Sequence, residues 1–376
     1  MWTMIKTLVV ENYRSFPRFE LGSLGRVNLL VGMNNSGKTS LLEAIQVVMS
    51  NADSKVMWSI GVRRGESARG AGDPRHLFDE VDLNSWFHGF ELHNGSSMTL
   101  SAALDTHLQE CRLEVVKASP TNGQHSVSVS GTTTTLSPSM QAEVDEPFSP
   151  SGLMLSVTAS DLKSKQNWTA PLSTRGGVQA GSAWREAEDR EVRTTFVPTN
   201  GISTLDLVSM IDDITLTDEE ALVLQALQSL DDRIERFAPK DRHGIPQIVV
   251  RLKGAAKPLP IGVLGDGVNR LLTIAVALAK SAHGILLIDE IDTGLHHTTM
   301  DRMWSFIRSA AEKLNVQVFA TTHSRDCYES LATICQETPE TLSNVSIQRI
   351  EQGRQSAVSY SEAEILAVAR RGLEVR

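Results

Sequence analysis

Residues 32–39 read G-M-N-N-S-G-K-T, with the apolar run Val27-Asn28-Leu29-Leu30-Val31 ahead and the helix-like run Ser40-Leu41-Leu42-Glu43-Ala44-Ile45 behind. Few sequence features leave a chain so little freedom. Glycines let the backbone turn tightly and aim its N–H groups inward. The helix behind adds the partial positive charge of its N-terminus. This strand–loop–helix is a cradle for phosphate oxygens, so the expectation is a bound nucleoside triphosphate. Gly32, Asn34, Asn35, Ser36, Gly37, Lys38, Thr39 and Ser40 are its candidate contacts. Lys38 reaches the β- and γ-phosphates as a point charge, and Thr39 offers a hydroxyl to Mg²⁺.

A second segment supplies acid. Gly284-Ile285-Leu286-Leu287-Ile288-Asp289-Glu290 is a short apolar run closed by two carboxylates. Such a run suits a buried parallel strand. Asp289 is then the expected Mg²⁺ partner, and Glu290 the group that orients and deprotonates a water attacking the γ-phosphate, together with Lys38 and His323 a candidate catalytic residue. Before this strand, Leu264-Gly265-Asp266-Gly267-Val268-Asn269-Arg270 opens a strong helical pattern over residues 271–279. After it, Val316-Gln317-Val318-Phe319-Ala320-Thr321-Thr322-His323-Ser324 forms another apolar strand ending in a histidine. His323 is positioned to hydrogen-bond the γ-phosphate and to sense its loss.

The order of loop, long insertion, glycine-led helix, acidic strand and histidine resembles the ABC-type ATPase heads of the SMC and OLD (overcoming lysogenization defect) families. Within these it is similar to the short OLD-like AAA ATPases. The start Leu8-Val9-Val10-Glu11-Asn12-Tyr13-Arg14-Ser15-Phe16, the block Gly265-Asp266-Gly267 with Arg270-Leu271-Leu272, and Gly294-Leu295-His296 carry the likeness. It implies a P-loop NTPase of α/β class, an ABC-ATPase head with an inserted antiparallel β-rich subdomain. The cofactors implied are ATP and Mg²⁺. Arg14, Gly265, Asp266 and Gly267 join the nucleotide-binding set, the last three across a head-to-tail dimer. The signature departs from L-S-G-G-Q: its serine is missing, and Asp266 would repel phosphate unless it caps the helix. A Q-loop glutamine is not placed. Larger OLD proteins add a Toprim nuclease, and none is expected in this chain.

The expected organisation is a split head: residues 1–50 with the loop, an inserted Ser/Thr/Gly-rich and mainly β subdomain over 51–194, and residues 195–376 with signature, acidic strand and histidine. Stretches such as Ser97-Met98-Thr99-Leu100-Ser101 and Ser126-Val127-Ser128-Val129-Ser130 alternate as antiparallel strands do. No sustained heptad appears, which excludes the long coiled coil of SMC proteins. One helix is expected from Thr217, with Glu220 completing a capping box and Leu227, Leu230, Ile234 and Phe237 as its apolar stripe. Trp86-Phe87-His88-Gly89 reads as a packing anchor. His296 and His297 follow the acidic strand; a metal site with Asp289 and His323 and a place near a second nucleotide, with Asp292, are both open readings.

The formal net charge is −9, so no overall footprint for nucleic acid exists. A local basic patch at Arg63, Arg64, Arg69 and Arg75 competes with a solvated loop. Cys111, Cys327 and Cys335 lack metal spacing. No membrane-length apolar run occurs, and the expectation is a cytoplasmic protein. Three functions follow. One is an ATP-hydrolysing switch that dimerises on ATP and controls a separately encoded effector, such as a nuclease or toxin, in phage defence. The others are a DNA-repair or chromosome-maintenance ATPase, and an ATP-sensing scaffold with little turnover.

Overall fold

The computed structural model describes residues 4–68, 80–118, 126–129, 132–135, 150–161, 165–179, 194–242, 244–337 and 345–365. Two compact units result. The first combines residues 1–6, 21–42 and 190–376; the second holds residues 7–20 and 43–189. The division therefore differs from the expected one: residues 7–20 and 43–50 belong with the insertion, not with the head.

The first unit is built on a six-stranded sheet. Its order is Thr194–Val197, Ile285–Ile288, Gln317–Thr322, Val27–Val31, Val345–Arg349, Val358–Ser361. The first five run parallel and the last is antiparallel. Val27–Val31, Ile285–Ile288 and Gln317–Thr322 are buried at every position, as expected of strands covered on both faces. The core continues into the helices Asp266–Lys280 and His297–Lys313 through Leu271, Leu272, Ile274, Trp304 and Ile307.

Two polar residues in this core are fully satisfied. Gln317 accepts from the Ile5 N–H at 2.9 Å and donates to the Ile5 and Gly25 carbonyls. Asn28 accepts from the Gly25 N–H and donates to the Gly25 and Val318 carbonyls. Each buried amide thus replaces the water it lost, which removes the penalty of burial.

The helix expected from Thr217 is shorter than its apolar stripe implied. It spans Asp218–Leu230, and Ile234 and Phe237 lie on the following strand, Ile234–Arg242. Asp231 stops the helix: its N–H bonds to the Leu227 carbonyl and its side chain accepts from Arg233 N–H. The capping box is also altered. The Thr217 hydroxyl turns to the Ile214 carbonyl, and Glu220 accepts from Leu216 N–H. Leu227, Ile234 and Phe237 still share one core. The strand Ile234–Arg242 pairs with Ile245–Leu252, which pairs in turn with the two-residue strand Leu259–Pro260.

The second unit centres on another six-stranded sheet, ordered Lys165–Ser173, Pro150–Ser160, Leu108–Lys117, Ser97–Leu104, Ile5–Tyr13, Phe16–Leu21. The first four strands pair antiparallel, and Ser97–Leu104 alternates between buried and half-buried residues. Trp86 and Phe87 are buried, in keeping with a packing anchor. A helix at Ser54–Arg64 was not anticipated. Its Gly61 stands inside the helix, where a Cβ would lie 2.5 Å from a Val81 methyl. Close approach, not a turn, requires that glycine. The helix starts on Asp53, whose side chain accepts from Lys55 and Val56 N–H, and ends on left-handed Gly65.

Two of the four arginines weighed as a basic patch against a solvated loop are engaged in local pairs. Arg64 pairs with fully buried Glu43 at 2.7 Å, and Arg63 donates to Gln46 at 3.0 Å. Arg69 and Arg75 lie outside the described residues.

Candidate nucleotide site

The strand Val27–Val31 delivers residues 32–37 as a turn, and the helix Lys38–Met49 begins at the lysine. The glycines are needed where the motif puts them. A Cβ on Gly32 would stand 2.5 Å from the Ile350 carbonyl and 2.9 Å from Ser36 Oγ. Gly37 sits at φ 90° and Asn35 at φ 63°, where glycine and asparagine are the tolerant residues. Met33, Asn34 and Asn35 are exposed at the rim, and Ser36, Lys38 and Ser40 are buried.

Lys38 Nζ donates to the Gly32 and Met33 carbonyls, each at 2.8 Å. Burial lowers its ammonium below the ordinary lysine range, opposed by the nearby charges of Asp289 and Glu290. Ser36 Oγ is buried with no hydrogen-bond partner among the described residues. A buried hydroxyl left unpaired is costly. This orphan, inside a ring of loop backbone, fits an anionic ligand.

Across the loop, three hydroxyls converge on one carboxylate. Thr39 Oγ1 donates to Asp289 at 3.0 Å, Thr321 Oγ1 at 2.7 Å and Thr199 Oγ1 at 3.2 Å. The hydroxyls arrive from three different parts of the chain because Ile285–Ile288 lies between Thr194–Val197 and Gln317–Thr322 in the sheet. Glu290 follows at φ 44°, a strained value for a non-glycine residue. Its N–H is held by Thr321 Oγ1 at 2.8 Å. Its carboxylate stands 3.6 Å from His323 Nδ1, and both side chains are partly exposed. A hydroxyl, two adjacent carboxylates, an ammonium and an imidazole are thus gathered around one loop.

Comparison with known proteins follows the two halves of this site. Residues 4–107 match the family described as "AAA ATPase domain", and residues 180–326 match "AAA domain, putative AbiEii toxin, Type IV TA system". This chain is an ATPase. It is 20% identical over 355 residues to an "ATP/GTP phosphatase" of Helicobacter pylori, covering 89% of each chain. The SMC head domain from Thermotoga maritima aligns at TM-score 0.41 and 12% identity, covering 95% of this chain and 98% of that one. An SMC head bound to the C-winged helix domain of ScpA aligns at TM-score 0.48 and 13% identity, with the same coverage. The parallel sheet, with its loop between Val27–Val31 and Lys38–Met49, makes this chain a P-loop NTPase of α/β class.

In this ATPase the helix Asp266–Lys280 opens on Gly265, which supplies no side-chain cap. Asp266 is therefore not the cap expected of it but the first helical residue. Its negative charge still suits the positive end of the helix. Gly265 and Asp266 are exposed and Gly267 is half-buried. Asp266 borders a cleft of about 510 Å³ lined also by Asn200, Gln247 and Asn269.

Arg14 is committed within the second unit. It pairs with Glu66 at 2.6 Å and Glu43 at 3.3 Å, and lies over the Tyr13 and Trp86 rings at 5.5 and 5.3 Å. Burial raises the Glu66 carboxyl, but the bond and charge of Arg14, helped by Ser85 and Arg64, more than reverse this, and the group lies below its usual range. His296 caps the helix His297–Lys313, accepting through Nδ1 from Thr298. No cluster of three or more metal-ligating side chains occurs among the described residues.

Sequence reasoning left three residues of the ATPase without a role: Arg270, Thr199 and Thr321. Arg270, quoted only as part of a motif, is buried. It donates to the main-chain carbonyls of Pro198 at 3.2 Å, Asp289 at 3.0 Å and Glu290 at 2.9 Å. Burial lowers its guanidinium below the ordinary arginine value, against the pull of Asp292, Asp289 and Glu290. An arginine one turn into an otherwise apolar helix was the available signal. Thr321 and Thr199 gave none, since only the strand order brings them to Asp289.

Proposed function

We propose that this ATPase is a nucleotide-driven switch, in which two heads close head to tail on ATP and open after hydrolysis. The observation that carries the reading is the convergence of Thr39, Thr199 and Thr321 on Asp289, with Glu290 next to it. Lys38, Ser36 and the loop N–H groups hold the triphosphate. Thr39 and Asp289 are the pair that would hold Mg²⁺, which when bound neutralises phosphate charge as a Lewis acid. Glu290, partly exposed at the end of its strand, receives the proton of the attacking water. His323 beside it reports the γ-phosphate by hydrogen bond.

Pairing of heads is favoured by what the first unit leaves open. The Met33–Asn35 rim and the Gly265–Asp266 helix opening are both exposed, and a helix N-terminus attracts phosphate. A two-fold arrangement would let the opening of one head cover the nucleotide of the other. The switch would control a separately encoded effector in phage defence; the two-component toxin–antitoxin description of one matching family is in line with a separately encoded partner. The deciving test joins turnover to mass: ATP hydrolysis measured beside light scattering of the eluting particle. ATP must double the particle mass in a Glu290→Gln chain; a monomer at saturating ATP removes the switch while leaving the ATPase.

A further inference from the structure

We infer that the two-stranded ribbon Ile234–Arg242/Ile245–Leu252 is a binding surface for the phosphodiester backbone of duplex nucleic acid. The inference does not rest on the switch reading. It starts from charge: the chain is −9 overall, yet residues 234–253 hold five cations, Arg236, Lys240, Arg242, Arg251 and Lys253, against Glu235 and Asp241. Local charge therefore opposes global charge.

The register then sorts these residues by face. Phe237 pairs with Val250 and both are buried in the core. Side chains alternate along a strand, so the pairs between them, Arg236–Arg251, Ala238–Val249, Lys240–Gln247 and Arg242–Ile245, share the opposite face. Those eight positions carry four cations and no carboxylate. All four cations are exposed.

Two arginines directly across a ladder repel one another. The one ion pair found here among the described residues, Arg251 with Glu235 at 3.5 Å, joins two exposed side chains and is worth little. Folding gains nothing from an Arg236–Arg251 pair, whereas an anion lying between them neutralises both. Shape selects the anion. The short strand Leu259–Pro260 covers only Val249 and Val250, which leaves the Lys240–Gln247 and Arg242–Ile245 end two strands wide. A two-stranded ribbon is an element the major groove admits. At its tip Ile245 is 62% exposed, an apolar contact for bases beside the phosphate-seeking Arg242.

The test uses the full chain and a fluorescently labelled 20-base-pair duplex in a salt titration. Four phosphate contacts give a log–log salt slope of roughly −3.6. Arg236→Gln with Arg251→Gln, and separately Lys240→Gln with Arg242→Gln, should each weaken binding at least about tenfold and flatten the slope by roughly 1.8. Melting temperature and ATP turnover should match the parent, and Arg18→Gln, an exposed cation in the other unit, should leave duplex binding unchanged. The proposal is overturned if the parent fails to bind duplex at low salt. It is overturned equally if folded ribbon variants bind like the parent, or if polyglutamate displaces the duplex at equal charge, which would mark an acidic-protein surface.

Discussion

Thr321 binds both carboxylate-bearing residues of the site at once: its hydroxyl donates to the Asp289 side chain at 2.7 Å and accepts the Glu290 N–H at 2.8 Å. One side chain from the neighbouring strand thereby fixes the Asp289 carboxylate and the backbone of the proposed base. The predictions below follow from this convergence and from the groups around it.

Lys38→Ala should greatly weaken ATP affinity without unfolding the chain. Its Nζ is held by two loop carbonyls, and burial already disfavours its charge. Calorimetric titration with Mg-ATP reads the loss; an unchanged affinity in a folded variant would remove the loop as the site.

Glu290→Gln keeps size and shape and removes the proton acceptor. ATP binding should persist while turnover falls by a factor on the order of 10²–10⁴. Phosphate release under saturating ATP measures it. An equal rate would transfer the role to another group, and His323, 3.6 Å away, is next in line.

Arg270→Met should act on kcat more than on KM. Hydrogen bonds from a charged group contribute about 1.5–3 kcal/mol each, so loosening the Glu290 carbonyl should cost roughly ten- to a hundredfold in rate. Arg270→Lys should recover part of it. A variant that melts at the parent temperature and turns over at the parent rate would reduce Arg270 to packing.

Mixed chains bearing Gly267→Cys and Asn35→Cys should crosslink more in ATP when Glu290→Gln blocks hydrolysis. Gly267 can take the side chain, because an added Cβ meets nothing closer than 3.6 Å. Absence of crosslinks in every nucleotide state would end the composite-site reading.

The natural thiols should be silent in that experiment. Cys111, Cys327 and Cys335 are all buried, and burial pushes Cys335 up to about 12 and Cys327 higher still. A thiol reagent at pH 8 should find no fast-reacting group until the chain unfolds. Above the ordinary thiol range of about 8.5, the unfolded chain releases protons that the folded one retains. Stability should therefore fall as pH rises from there toward 12, as denaturant melts at stepped pH would measure.

What the sequence disclosed was local. The loop, the acidic strand and the histidine strand are contiguous runs whose residue types state their own geometry, and each forms where the motif puts it. Relations set by strand order stayed hidden: Thr199 and Thr321 look like any strand-end threonines until Ile285–Ile288 is seen between them. The same apolar spacing at Leu227, Leu230, Ile234 and Phe237 serves a helix or a helix followed by a strand, and only Asp231 decides. The helix Ser54–Arg64 was hidden too, since its Gly61 is required by a neighbouring Val81 methyl that residue type does not disclose. The ribbon cations were invisible because a chain-wide sum cancels them.

The position of Val27–Val31 in its sheet has a consequence for how the protein is made. Its neighbours on both sides are C-terminal strands, Gln317–Thr322 and Val345–Arg349, with contacts such as Asn28 to Val318 spanning 290 residues. During synthesis the first half of the nucleotide cradle emerges early and waits, its apolar strand unpaired, until residues 317–349 have left the ribosome. Such long-range pairing is slow and exposes sticky edges in the meantime. The insertion, whose strands pair mostly with close neighbours in sequence, can fold during that interval and keep the two distant halves of the head on one chain until they meet.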